Sequence, residues 1–217
     1  MPVPDLLSRY LDRSGVAAGG ISSTLLHQEG EIRLAPDKPW IKFSAEQTID
    51  ATKTAFRWHA RFKMAPLLTG VVEDAFEDGK GRLDAKIWGV IPVAHARGLD
   101  VDRGEAQRYL AELPWCPAAI AENPELHFAQ RDEHTVRVWV LDETWWVDLQ
   151  LDADGDIRVA STTTRLRDGV AQPWAGRFDD YRDFGGVRAP SKAEVWWDGP
   201  DGRFTYWRAE ITSIERR

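Results

Sequence analysis

Between Asp102 and Ile120 the chain reads DRGEAQRYLAELPWCPAAI, a helical stretch set in the middle of long runs whose apolar residues alternate instead. That single break in periodicity constrains the fold most. A chain of many strands with one substantial helix has no second helical layer, so the helix must pack on a sheet. Asp102, followed three residues later by Glu105, reads as a capping box, and Ala106, Tyr109, Leu110 and Leu113 then recur at helical spacing. Pro114 stops the helix, and Pro117 starts a further short turn that ends before Asn123-Pro124. Arg108 and Glu112, four residues apart, project together beside the apolar face, so part of a charged pair is carried onto the surface the helix packs against.

Elsewhere the pattern is that of strands. Phe56, Trp58, Ala60, Phe62 and Met64 alternate with Arg57, His59, Arg61 and Lys63, which gives a strand buried on one face and wet on the other. Ile41 to Ile49 repeats the pattern, after strands at Ile21–Gln28 and Glu31–Leu34. Leu67–Glu77 and Arg82–Ile91 form a hairpin through Asp78-Gly79-Lys80-Gly81. Beyond the helix, strands are expected at Leu126–Gln130, Val136–Leu141, Thr144–Leu151 and Ile157–Arg165, with Gln172–Gly176 as a loop. Arg177–Phe184, Val187–Trp197 and Phe204–Ile214 complete the set. Pro4–Leu11 reads as a short packing helix with Gly15 near its end. The predicted fold is therefore mainly β. One long antiparallel sheet of about a dozen strands curls as a half-barrel or open barrel around the central helix, in a single domain of residues 1–217.

Composition narrows the function classes. With 28 Lys and Arg against 35 Asp and Glu the net charge is −7, and no basic block interrupts it, so no nucleic-acid partner is expected. The apolar runs fall short of the roughly 18–20 residues that span a bilayer, so no membrane span is expected. Cys116, alone, cannot form an internal disulfide, and the opening MPVPDLLSRY has neither a basic nor an apolar segment. The expected location is cytoplasmic. Eleven tryptophans either thicken a core or line a pocket.

Two strings carry a resemblance. The helix string RYLAELPWCPAAI and the tail PWAGRFDDYRDFGGVRAPSKAEVWW, together with the opening VPDLLSRYLDRSGV, resemble a family of uncharacterised bacterial proteins catalogued as a domain of unknown function. The matching positions are Arg108, Tyr109, Leu110, Glu112, Trp115 and Pro117, then Pro173, Trp174, Gly176, Phe178, Tyr181, Gly185, Pro190, Glu194, Val195 and Trp196. The likeness spans nearly the whole chain and implies no activity. More distantly, a curled sheet around a helix is similar to the periplasmic lipoprotein carriers of bacteria, which hold acyl chains in the concavity. That link is one of fold, and those carriers are exported whereas this opening lacks an export signal.

The chemistry-bearing constellations are sparse. Arg108 and Glu112, with Tyr109 and Trp115 nearby, form either an ion pair that anchors helix to sheet or a polar centre that orients a ligand; the ion pair is the preferred reading. Asp74, Glu112 and Glu194 offer carboxylates for acid–base work, but nothing sets their separation. Ser191, His59 and His95 form no triad pattern. Asp152-Ala-Asp154-Gly-Asp156 is read as a hairpin turn, not a calcium loop, and the scattered histidines give no metal site. Gly79-Lys80-Gly81 lacks the upstream glycine of a phosphate loop. Cys116 is read as a small buried hydrophobe.

The expectation is a binding module for a small apolar or amphipathic, lipid-like ligand. Its contacts would be Arg108, Tyr109, Glu112, Trp115, Trp58, Trp174, Tyr181 and Trp196, with no catalytic residue, cofactor or metal assigned. The alternatives are a hydrolase using Glu112 or Asp74, and an interaction module whose interior is filled.

Overall fold

The computed structural model describes residues 2–16, 19–65 and 68–217. Leu67, the predicted start of a strand, lies outside the described residues, and so does the side chain of Met64. In chain order the elements are α1 (Asp5–Ser14), β1 (Ser23–Ile32), β2 (Ile41–Asp50), β3 (Phe56–Ala65), β4 (Leu68–Glu77), β5 (Lys80–Ile87) and β6 (Ile91–Ala96). The helical segment follows as α2 (Leu99–Ala111), a 3-10 turn (Leu113–Trp115) and α3 (Pro117–Glu122). The remaining strands are β7 (His127–Gln130), β8 (Thr135–Trp139), β9 (Trp146–Leu151), β10 (Ile157–Arg167), β11 (Val170–Asp183), β12 (Arg188–Gly199) and β13 (Gly202–Arg216).

All thirteen strands join one antiparallel sheet, in the order β6-β5-β4-β3-β2-β1-β13-β12-β11-β10-β9-β8-β7. The first and last strands of the chain thus meet in the middle, while β6 and β7 form the two edges. The helical segment between them has to cross from one edge to the other, which lays α2 over the concave face. There α2 packs on β4 and β5 from one half of the sheet and on β8, β9 and β10 from the other. This is the expected half-barrel around a central helix.

Alternation places the core. On β2, Phe43, Ala45, Gln47 and Ile49 are buried while Lys42, Ser44 and Glu46 are exposed, and on β3 Phe56, Trp58, Ala60 and Phe62 turn inward. Each large apolar side chain so removed from water contributes about 1.5–3 kcal/mol. Tyr109, Leu110, Leu113 and Trp115 complete the core from the helical side.

Several boundaries differ from those predicted. The strands expected at Ile21–Gln28 and Glu31–Leu34 are one strand, β1, bent by a bulge at His27/Gln28. The run expected from Arg82 to Ile91 is divided by a turn at Trp88-Gly89, with φ of 51° and 74°, which turns β6 back on β5. Such two-residue turns need positive φ at both positions; a tryptophan there gives no warning in the sequence, whereas Asp78-Gly79 does. Gln172–Gly176 is not a loop. β10 and β11 are joined tightly at Asp168-Gly169, and β11 runs straight through Pro173, which sits in a register break opposite Thr162/Arg165 and precedes the first β12 pair, Trp174 with Trp197. The missing N–H of proline therefore costs the ladder nothing.

The helix also starts earlier than the predicted capping box. Its N-cap is Gly98, and Asp102 lies within the first turn, where its carboxylate accepts from Gly81 N at 2.7 Å and Lys80 Nζ at 3.0 Å. Asp102 thus ties the helix to β5 instead of capping it. Gly81, predicted as part of the turn, is a contact residue: a Cβ there would lie 2.7 Å from Val101 O.

A polar seam across an apolar cavity

Between α2 and the sheet lies a cavity of about 590 Å³, inside the range of roughly 300–1,000 Å³ typical of ligand pockets. Its walls come from inward positions on facing strands: Trp58 and Phe62 of β3, Val72 of β4, Leu83 and Ala85 of β5, Trp174, Gly176 and Phe178 of β11, Val195 of β12 and Trp207 of β13. The interior is therefore not filled by the tryptophans. Gly176 takes the place of a side chain between Trp174 and Phe178, leaving open space between two aromatic rings.

Lys86, Glu194 and Tyr206 also border it, but the polar group that crosses its helical side consists of Asp74, Glu105, Arg108, Glu112 and Arg165. Their placement follows from two periodicities. Glu105, Arg108 and Glu112 share one face of α2 at spacings of three and four, and Asp74 stands opposite Trp58 in the β3–β4 register, pointing inward with it. Arg108 Nε donates to Glu112 Oε1 at 2.9 Å, and its Nη1 reaches Asp74 Oδ2. The same guanidinium lies over the rings of Phe56 and Trp58, 4.8 and 5.1 Å from their centroids. Glu112 Oε2 accepts from Gln47, Gln47 Oε1 accepts from Gln28 Nε2 at 3.0 Å, and Trp58 Nε1 donates to Gln28 Oε1 at 2.9 Å. A continuous hydrogen-bonded seam thus runs from β1 through β2 and α2 to β4.

The charges along it are unequal. Burial works against the Arg108 cation, but Glu112, Asp74 and Glu105 outweigh it and raise its pKa, so it stays charged. Burial raises the Asp74 carboxyl against the opposing pull of Arg108 and Arg165, and its Oδ1 has no partner. Glu105 is pushed up to about 8, by burial first and by Asp74 second. Its Oε1 lies 3.9 Å from Arg165 Nη2 and its Oε2 has no partner. At neutral pH Glu105 is mostly the uncharged acid. Arg165 itself lies over Trp174 at 4.6 Å and donates to Gly104 O.

Of the eight predicted contacts, Trp58, Arg108, Glu112, Trp115 and Trp174 meet at this cavity. Tyr109, Tyr181 and Trp196 do not. The Tyr109 hydroxyl donates to Asp50 O at 3.0 Å and accepts from Asn123 Nδ2 at 2.9 Å, closing the packing of α2 and α3 on the end of β2. Tyr181 donates to Ile157 O at 2.6 Å beneath Arg188, whose guanidinium grips Asp156 together with that of Arg13. Trp196 is on the outer face, since its neighbour Val195 lines the cavity; its Nε1 donates to Asp198 and Arg203 covers it at 4.1 Å.

Glu105, Arg165, Lys86 and Tyr206 are polar cavity residues that sequence reasoning missed. Glu105 was legible, three residues before Arg108 on the same helical face, but the capping-box reading claimed it. Arg165 offered no signal, because its inward position depends on the bulge in β10. Both proposed hydrolytic bases, Glu112 and Asp74, are hydrogen-bonded to Arg108. Glu194 lines the cavity's rim, bonded to Arg177 at 3.2 Å. Cys116 is fully buried, and burial pushes its thiol up to about 11 despite the Thr24 hydroxyl at 3.2 Å. The Asp152–Asp156 segment is a turn, with Asp156 N donating to Asp152 Oδ1. Among the described residues no cluster of His, Cys, Asp or Glu is arranged to hold a metal, and no helix is long and apolar enough to cross a membrane.

A curled antiparallel sheet with a helix across its concave face is the architecture of the lipoprotein-carrier fold. The chain belongs to DUF6920, a family of unknown function, whose model matches residues 1–215. Among solved structures it is similar to a LolA superfamily protein from Nitrosomonas europaea, at 11% identity and a TM-score of 0.51 over 100% of this chain and 94% of that one. It is also similar to a Vibrio parahaemolyticus domain assigned to outer-membrane lipoprotein sorting, at 8% identity and a TM-score of 0.56, covering 97% and 91%. A third likeness, to a DUF1329 family protein from Desulfovibrio piger, has 9% identity and a TM-score of 0.51, covering 98% and 90%. At these identities the likeness is one of fold. No curated protein matches the sequence significantly.

Proposed function

We propose that this protein is a binding module whose concave cavity holds a small amphipathic, lipid-like ligand. The observation that carries the reading is an open apolar space of about 590 Å³ with a polar seam on its helical side. An acyl or similarly apolar body fits against Trp58, Phe62, Trp174 and Phe178, where burying its surface contributes about 25 cal/mol per Å², and its polar end meets Arg108, Arg165 and Glu105. The lipoprotein-sorting neighbours support the reading at the level of fold.

The test is a titration of the purified protein with a long-chain fatty acid, a fatty alcohol and an aromatic probe, read by tryptophan emission and by calorimetry. Saturable binding is expected, and Gly176→Phe should abolish it by filling the cavity. A Cβ at Gly176 meets its neighbours at 3.6 Å, an ordinary contact, so the backbone accepts the change. Equal binding by the filled variant, or none by the wild type, would overturn the reading.

A further inference from the structure

The outer face of β3 carries Arg57, His59, Arg61 and Lys63 in succession, three of them cations, in a chain whose net charge is −7. Lys42 stands opposite Lys63 on β2. Arg61, Lys63 and Lys42 are exposed and enter no ion pair among the described residues. Most acids near this stripe are engaged by other cations: Glu31, opposite Lys42, pairs with Arg208, Glu73 with Arg82 at 2.7 Å, Asp179 and Glu194 with Arg177, and Glu210 with Arg182, while exposed Glu29 stands opposite Ser44, the next same-face pair along from Lys42.

Beside the stripe is the tip of the β5–β6 hairpin. Thr69 of β4 faces Lys63, and Trp88 N donates to Thr69 O at 2.8 Å, so Lys63, Thr69 and Trp88 form a row across the outer face. Trp88, Gly89, Lys42, Arg61 and Lys63 border one shallow depression. At the tip, Trp88 is 56% exposed and Val90 75%. One residue inward the wall changes sides. Ile87 lines the cavity, and so do Leu34 and Val93, which are 72% and 56% exposed at its rim. One corner of the molecule thus combines unpaired cations, an exposed apolar tip bearing a tryptophan, and the rim of the apolar cavity.

We propose that this corner docks on the surface of a bilayer containing anionic lipids, with Trp88 and Val90 entering the interfacial region while Lys42, Arg61 and Lys63 contact the headgroups. A membrane is favoured over an acidic protein because the apolar side chains stand at a projecting turn beside the charges. That is the arrangement in which indoles and aliphatic groups partition into an interface while basic groups hold its surface. The proposal does not depend on what the cavity holds.

Co-sedimentation with sucrose-loaded vesicles tests it, using phosphatidylcholine alone and phosphatidylcholine mixed with phosphatidylglycerol. The expected result is binding to the mixed vesicles that weakens with added salt, and far less binding to the neutral ones. Neutralising Arg61→Gln or Lys63→Gln should weaken it about fivefold each. Val90→Asp should weaken it as well, and Gly176→Phe should leave it unchanged, which separates docking from cavity filling. Arg61, Lys63 and Val90 are exposed positions outside the core, and circular dichroism of each variant, Gly176→Phe included, verifies folding. Absence of binding to the mixed vesicles, equal binding to both compositions, or a Val90→Asp variant that binds like the wild type would overturn the proposal. So would binding to soluble polyglutamate with none to vesicles, which assigns the stripe to an acidic protein.

Discussion

Arg108 and Glu112 are joined at 2.9 Å one turn apart on α2, yet the same guanidinium also reaches Asp74 on β4, so the pair is one arm of a triad that fastens helix to sheet. All three side chains are largely shielded from water.

Removing Arg108 strands two carboxylates. Arg108→Met should therefore destabilise the fold by about 3–5 kcal/mol, the cost of an uncompensated buried charge. Glu112→Gln should cost less, because Asp74 still faces the cation. The double change Arg108→Met/Glu112→Gln should remain weak, since Asp74 is left unpaired, and adding Asp74→Asn should restore most of the loss. Urea unfolding of the four variants measures this. A double variant as stable as the wild type would show that Asp74 is not coupled to the pair.

Glu105 makes stability fall as the solution becomes more alkaline. Its folded pKa of about 8 lies above the usual carboxylate range, so between pH about 4.3 and 8 the unfolded chain releases a proton that the folded chain keeps. In that window the unfolded state binds fewer protons, and unfolding becomes easier as pH rises. Glu105→Gln removes the effect. The variant should gain stability relative to the wild type steadily from pH 5 to pH 8, read as a difference in Tm. Parallel curves would place the ionisation elsewhere.

Asp156 works in the opposite direction. Burial would raise its carboxyl, but hydrogen bonds from Arg188 and Arg13 outweigh this and hold it below the usual value. Its contribution is complete above the unfolded value of about 3.9 and is lost as pH falls toward the depressed folded value. Asp156→Asn should therefore lower Tm by several degrees at pH 7 and should flatten the acid decline that the wild type shows below pH about 4. The site joins α1 to the β9–β10 turn and β12, so the same variant should free α1, visible as faster amide exchange over Leu6–Tyr10.

The sheet was legible because its buried face repeats every second residue, from Phe43 to Ile49 and from Phe56 to Phe62, and because Asp-Gly pairs mark turns such as Asp78-Gly79, Asp154-Gly155 and Asp201-Gly202. The order of strands was not. Nothing local records that β1 pairs with β13, since that contact joins the ends of the chain. The cavity was half legible. Arg108 and Glu112 follow from helical spacing and Trp58 from strand phase, whereas Trp174 falls in a stretch that reads as a loop, and Tyr181 and Trp196 share their sequence neighbourhood with lining residues but lie outside the cavity. A bulge shifts every later side chain to the other face, and it leaves no mark in composition.

Gly81 tests how closely the helix must sit on the sheet to keep the seam assembled. Asp102 accepts the Gly81 N–H at 2.7 Å, and a methyl group at Gly81 would stand 2.7 Å from Val101 O and 3.1 Å from Asp102 N, both backbone atoms that cannot rotate away. Gly81→Ala should therefore push the first turn of α2 off β5 by a few tenths of an ångström or more. Intrinsic strand preference favours alanine over glycine, so without the contact the change would be neutral or stabilising. A loss of roughly 1–3 kcal/mol is expected instead, as for overpacking. Because Glu105 and Arg108 lie on the next turn of the same helix, the displacement should also weaken ligand binding in the cavity. Asp102→Asn, which keeps the contour and one acceptor, should destabilise without that effect on binding. Gly81→Ala as stable as the wild type would show that the helix has room to move on β5, and that the seam is held from α2 and β4 alone.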